Sequence, residues 1–365
     1  MTLPLQATIF NSETLAIKGT FPVPEYFVTV DALSNASSTI TILKQSNMAK
    51  GDYVAVREVN STVMLYYGQI TTVDPDDSTN YMKLTANRLW NVVNGDTIIT
   101  AMNGSSYETH LIRLIRNYIN SNLSTNVLNY SITNSTNTSY QVTNSDTLSV
   151  SNLIDYMIRG FKLHNTTFDI TGIGSGTRMG QPFYFPKIDI HQITDTWNFR
   201  NDAYAFKDWE VTDTRALRGY ANELWIVNKN TTNMESPGIL ARYWLQKDGS
   251  VTKTLNTNVV LPTQVKVYLY DTTATDKPSY DSVASDQLTG NVYSHSIKFS
   301  MPIENNFLPL DKVKVGLQSN IYYDGTLYKS ILSAFSLNSS DELIELTFGN
   351  LRFGKNDLFG NKAAV

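Results

Sequence analysis

The sequence contains no cysteine, which excludes disulfide bonds, thiolate catalysis and cysteine-based metal sites. It also has no apolar run near the roughly 18 residues that a membrane-spanning helix needs. The start, Met1 to Gln6, lacks a basic region followed by an apolar stretch, so no signal peptide is evident. We therefore expect a protein made in the cytoplasm, without stable membrane insertion.

Charge is scarce as well. Charged residues make up 17% of the chain and the net charge is −4, which gives no broad electrostatic reason to bind nucleic acid or an anionic membrane. Much of the polar composition is instead uncharged and consists of Asn, Ser, Thr and Tyr. Such a surface suits a β-rich assembly component or a carbohydrate binder, although A/T-rich codon usage would give a similar composition. The 365 residues allow two to four domains.

One strand pattern is present twice. The first copy runs from Asp52 through Ile70 to Thr85, and the second from Asp311 through Ile331 to Thr347. Each begins with V-x-V, which places two β-branched side chains on one face of a strand. A polar turn, a returning strand, a second turn and a third alternating strand follow. Three antiparallel strands of this kind form a meander that commonly closes into a small barrel. Any two meanders look alike at this level, but the match covers three strands and both turns, so we interpret it as an internal repeat.

Two helices are predicted between the copies. Ser105 stands three residues before Glu108, the spacing of a capping box. The apolar residues that follow at helical spacing are Leu111, Leu114, Ile115, Tyr118 and Ile119. The second helix is expected from a Ser151 cap to a stop at Gly160, and its apolar face consists of Leu153, Ile154, Met157 and Ile158. Residues 121–145, rich in Asn, Ser and Thr, predict a loop or a weak hairpin.

Further strands are predicted at residues 223–227, 241–245 and 265–270, with a hairpin turn at 247–250 and a polar, turn-rich segment at 271–286. The segment Gly172 to Gly176 lacks the Lys-Ser/Thr of a phosphate-binding loop and predicts a flexible loop.

No catalytic motif emerges. The four histidines, His110, His164, His191 and His295, show no metal-binding spacing, and His110 is expected on the solvent face of the first helix. No G-x-S-x-G elbow occurs.

Three groups of carboxylates are candidate sites. The cluster of Asp74, Asp76 and Asp77 indicates a turn rather than a calcium loop. Nothing selects the pairs Asp208/Glu210 or Asp341/Glu342 as glycosidase carboxylates over the other acidic residues. We therefore predict no catalytic, cofactor-binding or metal-binding residues.

Aromatic residues are dense from residue 182 to 244. Trp197, Trp209, Trp225 and Trp244 could stack on sugar rings, but burial in a core or a subunit interface is the commoner use and the one we favour.

Several segments together resemble a known family. They are residues 51–56 with 67–70, residues 222–227, Tyr243 to Leu245 with Asp248 and Gly249, and residues 293–297 leading through 310–315 and 328–331 to Gly349. In this order the chain resembles the tail-tip hub family of bacteriophages. These are the tail-associated proteins of long-tailed phages that infect Gram-positive hosts, similar in fold to the baseplate hub of contractile-tailed phages.

The resemblance implies an α+β, mainly β fold with two similar small β-barrels and intervening α+β parts. The implied division is a first barrel at 1–100, an α+β domain at 101–219, the first strands of a discontinuous second barrel at 220–247, a return to the α+β domain at 248–292, and the rest of the second barrel at 293–365.

The resemblance also implies a role. A homotrimer would close the distal end of the tail tube, bind the distal tail ring and the tape-measure protein, neighbour the receptor-binding proteins of the baseplate, and open for DNA ejection. Because the chain stops soon after the second barrel, we expect no lytic domain and no enzymatic activity. A carbohydrate-binding adhesin and a cell-wall glycosidase remain the alternatives.

Overall fold

The computed structural model describes residues 3–99, 106–122, 130–138, 149–213, 221–233, 235–236, 238–247, 250–275, 277–288, 295–305 and 307–349. The first barrel consists of β1 (Leu5–Phe10), β2 (Ile17–Val23), β3 (Glu25–Asp31), β4 (Ser37–Leu43), β5 (Tyr53–Glu58), β6 (Met64–Pro75) and β7 (Tyr81–Arg88). The strands pair antiparallel in the order β2-β1-β5-β6-β7-β4-β3, and β2 lies against β4. Alternation explains the closure, because Val28, Ile40, Val54 and Leu84 are fully buried while their neighbours along each strand are more exposed or face a second layer.

A second layer packs on this barrel. After a 3-10 helix (Leu89–Val93) come β8 (Asp96–Ile99), α1 (Tyr107–Asn122), β9 (Ser131–Asn134), β10 (Ser149–Asn152), α2 (Leu153–His164), β11 (Thr166–Arg178) and β12 (Gln181–Gln192). Helix α1 is confirmed with its predicted buried face. Ser105 lies outside the described residues; Ser106 caps the helix by accepting the Thr109 amide at 3.2 Å.

Helix α2 differs from its prediction at both ends. Its cap is Asn152, whose Oδ1 accepts the Ile154 amide at 2.9 Å, rather than Ser151. Gly160 does not stop the helix, which continues to His164 and ends at Asn165 with φ 51°. A Cβ on Gly160 would lie 2.2 Å from the Tyr107 ring, so this glycine serves the close approach of the two helices.

The glycine-rich segment also differs from its prediction. It is part of β11, which pairs with β12 in a long hairpin. Gly174 and Gly176 lie under the rings of Phe185 and Phe183, where a Cβ would come within 2.4 and 2.7 Å. An aromatic ring covering a cross-strand glycine stabilises such a strand, and sequence periodicity gives no sign of it. Within the predicted loop 121–145, β9 pairs parallel to β12.

The chain then forms β13 (Thr196–Arg200) and β14 (Lys207–Thr212), followed by a separate unit. This unit consists of β15 (Glu223–Asn228), β16 (Ile239–Leu245), β17 (Val251–Thr252), β18 (Val265–Tyr270) and α3 (Tyr280–Leu288). Its four strands form their own sheet, in the order β17-β16-β15-β18, with α3 on one face.

The second barrel is completed by β19 (Ser296–Pro302), a 3-10 helix (Leu310–Lys312), β20 (Gln318–Tyr323), β21 (Thr326–Asn338) and β22 (Leu343–Gly349). Its strand order is β14-β19-β22-β21-β20-β13. The interior is aromatic: the Phe299 ring centroid lies 5.2 Å from that of Phe199 and 5.4 Å from that of Phe348. Trp209 on β14 lies 5.7 Å from Tyr323 on β20, so the two sides of the sheet approach each other.

Three expectations about connectivity were wrong. Residues 220–247 do not open the second barrel, because β15 and β16 belong to the separate sheet; β13 and β14 fill that place. The turn-rich segment 271–286 contains most of α3, and residues 96–99 pair with β10 outside the first barrel. Pairing between distant strands decides the two strand assignments, and periodicity along the chain does not report it. Helix α3 is held instead by Val283, Ala284 and Leu288, which pack on the sheet of the separate unit.

The two barrels form one continuous sheet. β21 pairs antiparallel with β3, from Ala334 opposite Asp31 to Asn338 opposite Phe27. The predicted fold class, mainly β with two small barrels and intervening α+β parts, is confirmed. The exact domain bounds remain a prediction.

Candidate assembly surface

The two barrels share an unusual backbone feature at the start of the meander. Gly51 and Gly316 have φ of 97° and 103°, a region open to glycine but strained for other residues. Each glycine amide donates to the carbonyl of the strand that returns, Ile70 or Leu332, at 2.8 Å in both barrels. Gly51 is therefore the structural equivalent of Gly316, and Ile70 that of Leu332.

A second shared feature is a β-bulge on the middle strand. Thr71 is the extra residue in β6 and Ser333 the extra residue in β21. The Thr71 hydroxyl donates to the Thr85 carbonyl at 3.2 Å, and the Ser333 hydroxyl to the Thr347 carbonyl at 3.1 Å. The two strand pairs thus share a bulge at the same place with the same side-chain hydrogen bond, and a bulge changes the direction of the strand that carries it. The internal repeat predicted from the sequence is present in these two strand pairs.

The predicted alignment of the first strand was nevertheless shifted. Asp311 lies in the 3-10 helix before β20, and the residue equivalent to Asp52 is Leu317, whose carbonyl accepts the Leu332 amide at 2.9 Å as the Asp52 carbonyl accepts the Ile70 amide at 2.7 Å. Gly51 precedes Asp52 and Gly316 precedes Leu317. Aligning these two glycines would have given the correct register, whereas aligning the V-x-V patterns did not.

The outward faces of the equivalent strands differ in chemistry. On the first barrel, Leu43 and Tyr81 lie opposite each other and are 45% and 39% exposed. The positions equivalent to them in the register of the second barrel are Pro302 and Leu343. The second barrel also carries an outward ion pair, Lys298 to Glu345, at 2.9 Å. The two barrels thus offer surfaces of similar shape but different side chains.

The histidines show no accessible catalytic arrangement among the described residues. His110, expected on the solvent face of α1, is buried against Tyr156, and desolvation together with the nearby Arg113 lowers its pKa to about 4. His295 Nε2 lies 2.7 Å from the Ser330 hydroxyl, but both residues are buried inside the second barrel. His191 lies 3.1 Å from the Asp189 carboxylate. The side chain of His164 lies outside the described residues.

The carboxylate candidates have structural partners or stay apart. Asp76 accepts hydrogen bonds from Ser78 and Thr79, which lower the pKa of its carboxyl. The turn predicted at 74–77 begins later than expected, because Asp74 and Pro75 are the last residues of β6 and the chain leaves the strand at Asp76. In the part of the chain that the structure describes, no three His, Asp or Glu side chains gather as a metal site would require. Asp208 and Glu210 are exposed on β14, and Asp341 and Glu342 lie in the turn before β22.

The four candidate tryptophans lie in three places: the second barrel, the sheet of the separate unit and a cleft. Trp209 stacks on Phe299 with ring centroids 4.3 Å apart, and its partly buried indole packs against the barrel core. Trp225 lies half-buried on the sheet of the separate unit, where Arg242 covers its ring at 4.8 Å and Glu223 accepts its indole N–H at 2.6 Å. Trp244 is half-buried on the neighbouring strand.

Trp197 lines an open cleft between the barrels. The cleft measures 460 Å³, and its wall includes Asp195, Gln192, Asp311 and Lys312. Near it, the Lys314 ammonium pairs with Asp169 and so ties the second barrel to hairpin β11–β12. Here a candidate tryptophan meets a polar groove.

No protein-family model matches the sequence, and no curated protein matches it. Solved structures do match. A structure of the phage P2 virion baseplate in its activated conformation is 15% identical, with a TM-score of 0.51 over 96% of this chain and 99% of that one. The 43 kDa tail protein of prophage MuSo2 from Shewanella oneidensis is 7% identical, with a TM-score of 0.52 over 94% of this chain and 98% of that one.

Identity this low reports on the fold alone. The chain has the fold of phage tail and baseplate hub-like proteins across nearly its whole length, as the resemblance in the sequence implied. In the described residues, no helix is both long and apolar enough to cross a membrane.

Proposed function

We propose that this chain is a structural hub of a bacteriophage tail tip or baseplate. The observation that carries the proposal is the pair of barrels with matching glycines and bulges, joined edge to edge by β3 and β21. A chain with two equivalent modules gives a trimer six similar units, which suits a partner with six-fold symmetry. The likeness of fold to phage baseplate and tail proteins supports the same role.

In this proposal a homotrimer closes the distal end of the tail tube. Its six barrels bind the distal tail ring, the space below them holds the end of the tape-measure protein, and receptor-binding proteins of the baseplate lie alongside. The hub opens when DNA is ejected. The net charge of −4 is consistent with DNA passing through without being held, because phosphate binding depends on clustered Lys and Arg. The protein is made in the host cytoplasm, resides in the virion and inserts into no membrane.

We propose a mechanical role rather than an enzymatic one. The buried His295–Ser330 pair supports this view, since a nucleophile and base need access to substrate. Zymography on host cell wall should leave a blank lane, and clearing would favour the glycosidase alternative.

The test combines mass and stoichiometry. Light scattering on the purified protein, alone and mixed with the distal tail ring of its phage, should find three chains of 41.0 kDa on one ring. Electron microscopy of the mixture should show the barrels at the ring face. Six chains on the ring, or a ring left unbound at micromolar concentrations of both proteins, would contradict the proposal.

A second candidate is glycan binding at the Trp197 cleft, because an aromatic ring beside carboxylate and amide groups suits a sugar. Binding on a glycan array should disappear with Trp197→Ala and persist with Trp225→Ala, whose ring is already covered by Arg242. Equal loss in both variants, or no binding by the unaltered protein, would exclude this site.

A further inference from the structure

A separate cleft lies between the first barrel and helix α2. It measures 350 Å³ and is formed by the β3–β4 turn on one side and by α2 on the other. Its floor consists of the buried side chains Met157, Phe161 and Phe168, and half-buried Leu33 and Ile158 stand at its sides. This size and apolar lining are typical of sites that bury a small organic group.

The charged side chains among the described residues that line the cleft are all carboxylates. Arg88, which does not line the cleft, donates to the backbone carbonyl of Asp31 at 3.0 Å. Asp31 lies on the turn side and Asp155 on the exposed first turn of α2, whereas no Lys, Arg or His is among the described residues that line it. The Asp31 carboxylate is held by the Leu33 amide at 2.7 Å and the Ser34 hydroxyl at 2.5 Å, so its position is fixed. A fixed carboxylate beside an apolar floor favours a cationic partner.

One wall carries an unused hydrogen-bonding group. Thr166 is 3% exposed, and its Oγ1 has no hydrogen-bond partner among the described residues. Buried hydroxyls are normally hydrogen-bonded, and leaving one without a partner is unfavourable. A donor entering the cleft would satisfy it.

We propose that this cleft binds a partner segment that inserts an apolar or aromatic side chain and places a Lys or Arg ammonium or guanidinium beside it. The apolar group would occupy the floor, and the cation would lie near Asp155 and Asp31. The proposal depends on the cleft alone and holds whether or not the chain closes a tail tube. Trp90 forms part of the rim, and its ring centroid lies 3.9 Å from that of Phe168.

Small probes isolate this chemistry. 3-Phenylpropylamine carries the aromatic group and the cation, 3-phenylpropanoate reverses the charge, and 3-phenylpropanol removes it. With the full chain carrying labelled Ile and Met methyl groups, the amine should shift the signals of Ile154, Ile158 and Met157. We expect the alcohol to bind more weakly and the carboxylate not at all.

Variants separate charge from shape. Asp155→Asn alters an exposed side chain and should weaken amine binding about three- to fivefold without changing alcohol binding. Asp77→Asn, whose side chain is 97% exposed in a distant turn, is the matched control and should have no effect. Ile158→Trp should fill the cleft and abolish binding of every probe, while circular dichroism checks that helix α2 still forms.

Equal binding of amine and carboxylate would overturn the assigned charge preference. Shifts confined to methyl groups outside the cleft, or no saturable shift, would overturn the site itself. Neither result bears on the stoichiometry that tests the hub.

Discussion

The two barrels reach a similar strand order by different routes. The first is built from one continuous stretch, residues 5–88, whereas the second combines residues 196–212 with residues 296–349, and the unit of β15–β18 and α3 lies between these pieces. Both keep the meander with its glycine and bulge. The flanking strand differs: β1 runs antiparallel to β5, but β13 runs parallel to β20.

This difference shows which part of the module is fixed. The hydrogen bonds of Gly51 and Gly316 and the bulges at Thr71 and Ser333 are matched atom for atom. The strand that completes each barrel can enter from either direction, because either direction fills the same row of backbone donors and acceptors. We infer that the meander carries the duplicated function and that the flanks adapt each copy to its surroundings.

The largest expected effect concerns the cores. Phe299→Ala should destabilise the protein by about 3–5 kcal/mol, because the ring is fully buried and contacts four other aromatic rings. Urea unfolding measures the loss, and hydrogen exchange should place it in the second barrel. Phe27→Ala, 43% exposed on β3, is the control and should change stability by less than about 0.5 kcal/mol. A loss at Phe299 as small as the control would mean that the aromatic cluster is not the interior.

Replacing either of the two equivalent glycines, Gly51 or Gly316, should lower stability, and by different amounts. Gly51→Ala and Gly316→Ala both force a Cβ into strained backbone, at about 1–3 kcal/mol each by urea unfolding. Gly316→Ala should cost more, since its Cβ would come within 3.2 Å of Ile193, while that of Gly51 would be 3.7 Å from Ser12. Losses of stability in this range for both variants support equivalent roles of the two glycines. An unchanged stability of one variant would contradict that equivalence.

Acid should affect the two barrels unequally. Desolvation lowers the pKa of His110 to about 4, so the folded state binds a proton less readily than the unfolded state does. The folded protein therefore keeps the full contribution of neutral His110 to its stability above pH 6.5 and loses part of it as the pH falls toward 4. The helical layer that packs on the first barrel should loosen by about 1–2 kcal/mol over this range.

Hydrogen exchange at pH 7 and pH 4.5 measures this effect. Protection should fall in α1 and α2 and stay nearly constant in β19–β22, and His110→Gln should remove most of the difference. An equal loss of protection in both regions would indicate carboxylates distributed over the chain rather than His110.

The smallest expected effect concerns the bulges. Thr71→Val and Ser333→Ala each remove the hydroxyl that donates to the carbonyl across the bulge, at about 0.5–1.5 kcal/mol. Ser333→Ala should lie at the upper end because Ser333 is 1% exposed and Thr71 is half-buried. Thermal unfolding of the two variants, with Thr72→Val as an exposed neighbour, measures the difference, and the reverse ranking would contradict the burial argument.

Much of this fold could be predicted from local pattern. The helical face of α1 and the repeat itself follow from periodicity. The polar turn after the first strand of the second copy follows from turn chemistry, and it is Asp324–Gly325 with φ of 46° and 77°. The parts that could not be predicted depend on contacts distant in sequence. β15 was predicted as a strand of the second barrel, yet its parallel partner β18 lies about 40 residues further on and places it in another sheet.

The site was harder to predict than the fold. The cleft between the first barrel and α2 is formed by the β3–β4 turn near residue 33 and by α2 near residue 158. No sequence motif connects these two segments. The sequence places His110 on the outer face of an isolated helix, but α2 covers that face through Tyr156. A polar residue on the face of an isolated helix gives no signal of what packs on it.

The central claim is that one chain carries two equivalent barrels so that three chains present a six-fold face. The most direct measurement is an electron cryomicroscopy structure of the protein bound to the distal ring of its tail tube, solved with three-fold symmetry only. The account predicts that residues 51–88 and residues 316–349 of each chain contact successive ring subunits through matching positions. A map in which only one of the two barrels touches the ring, or in which the chains number other than three, would contradict it.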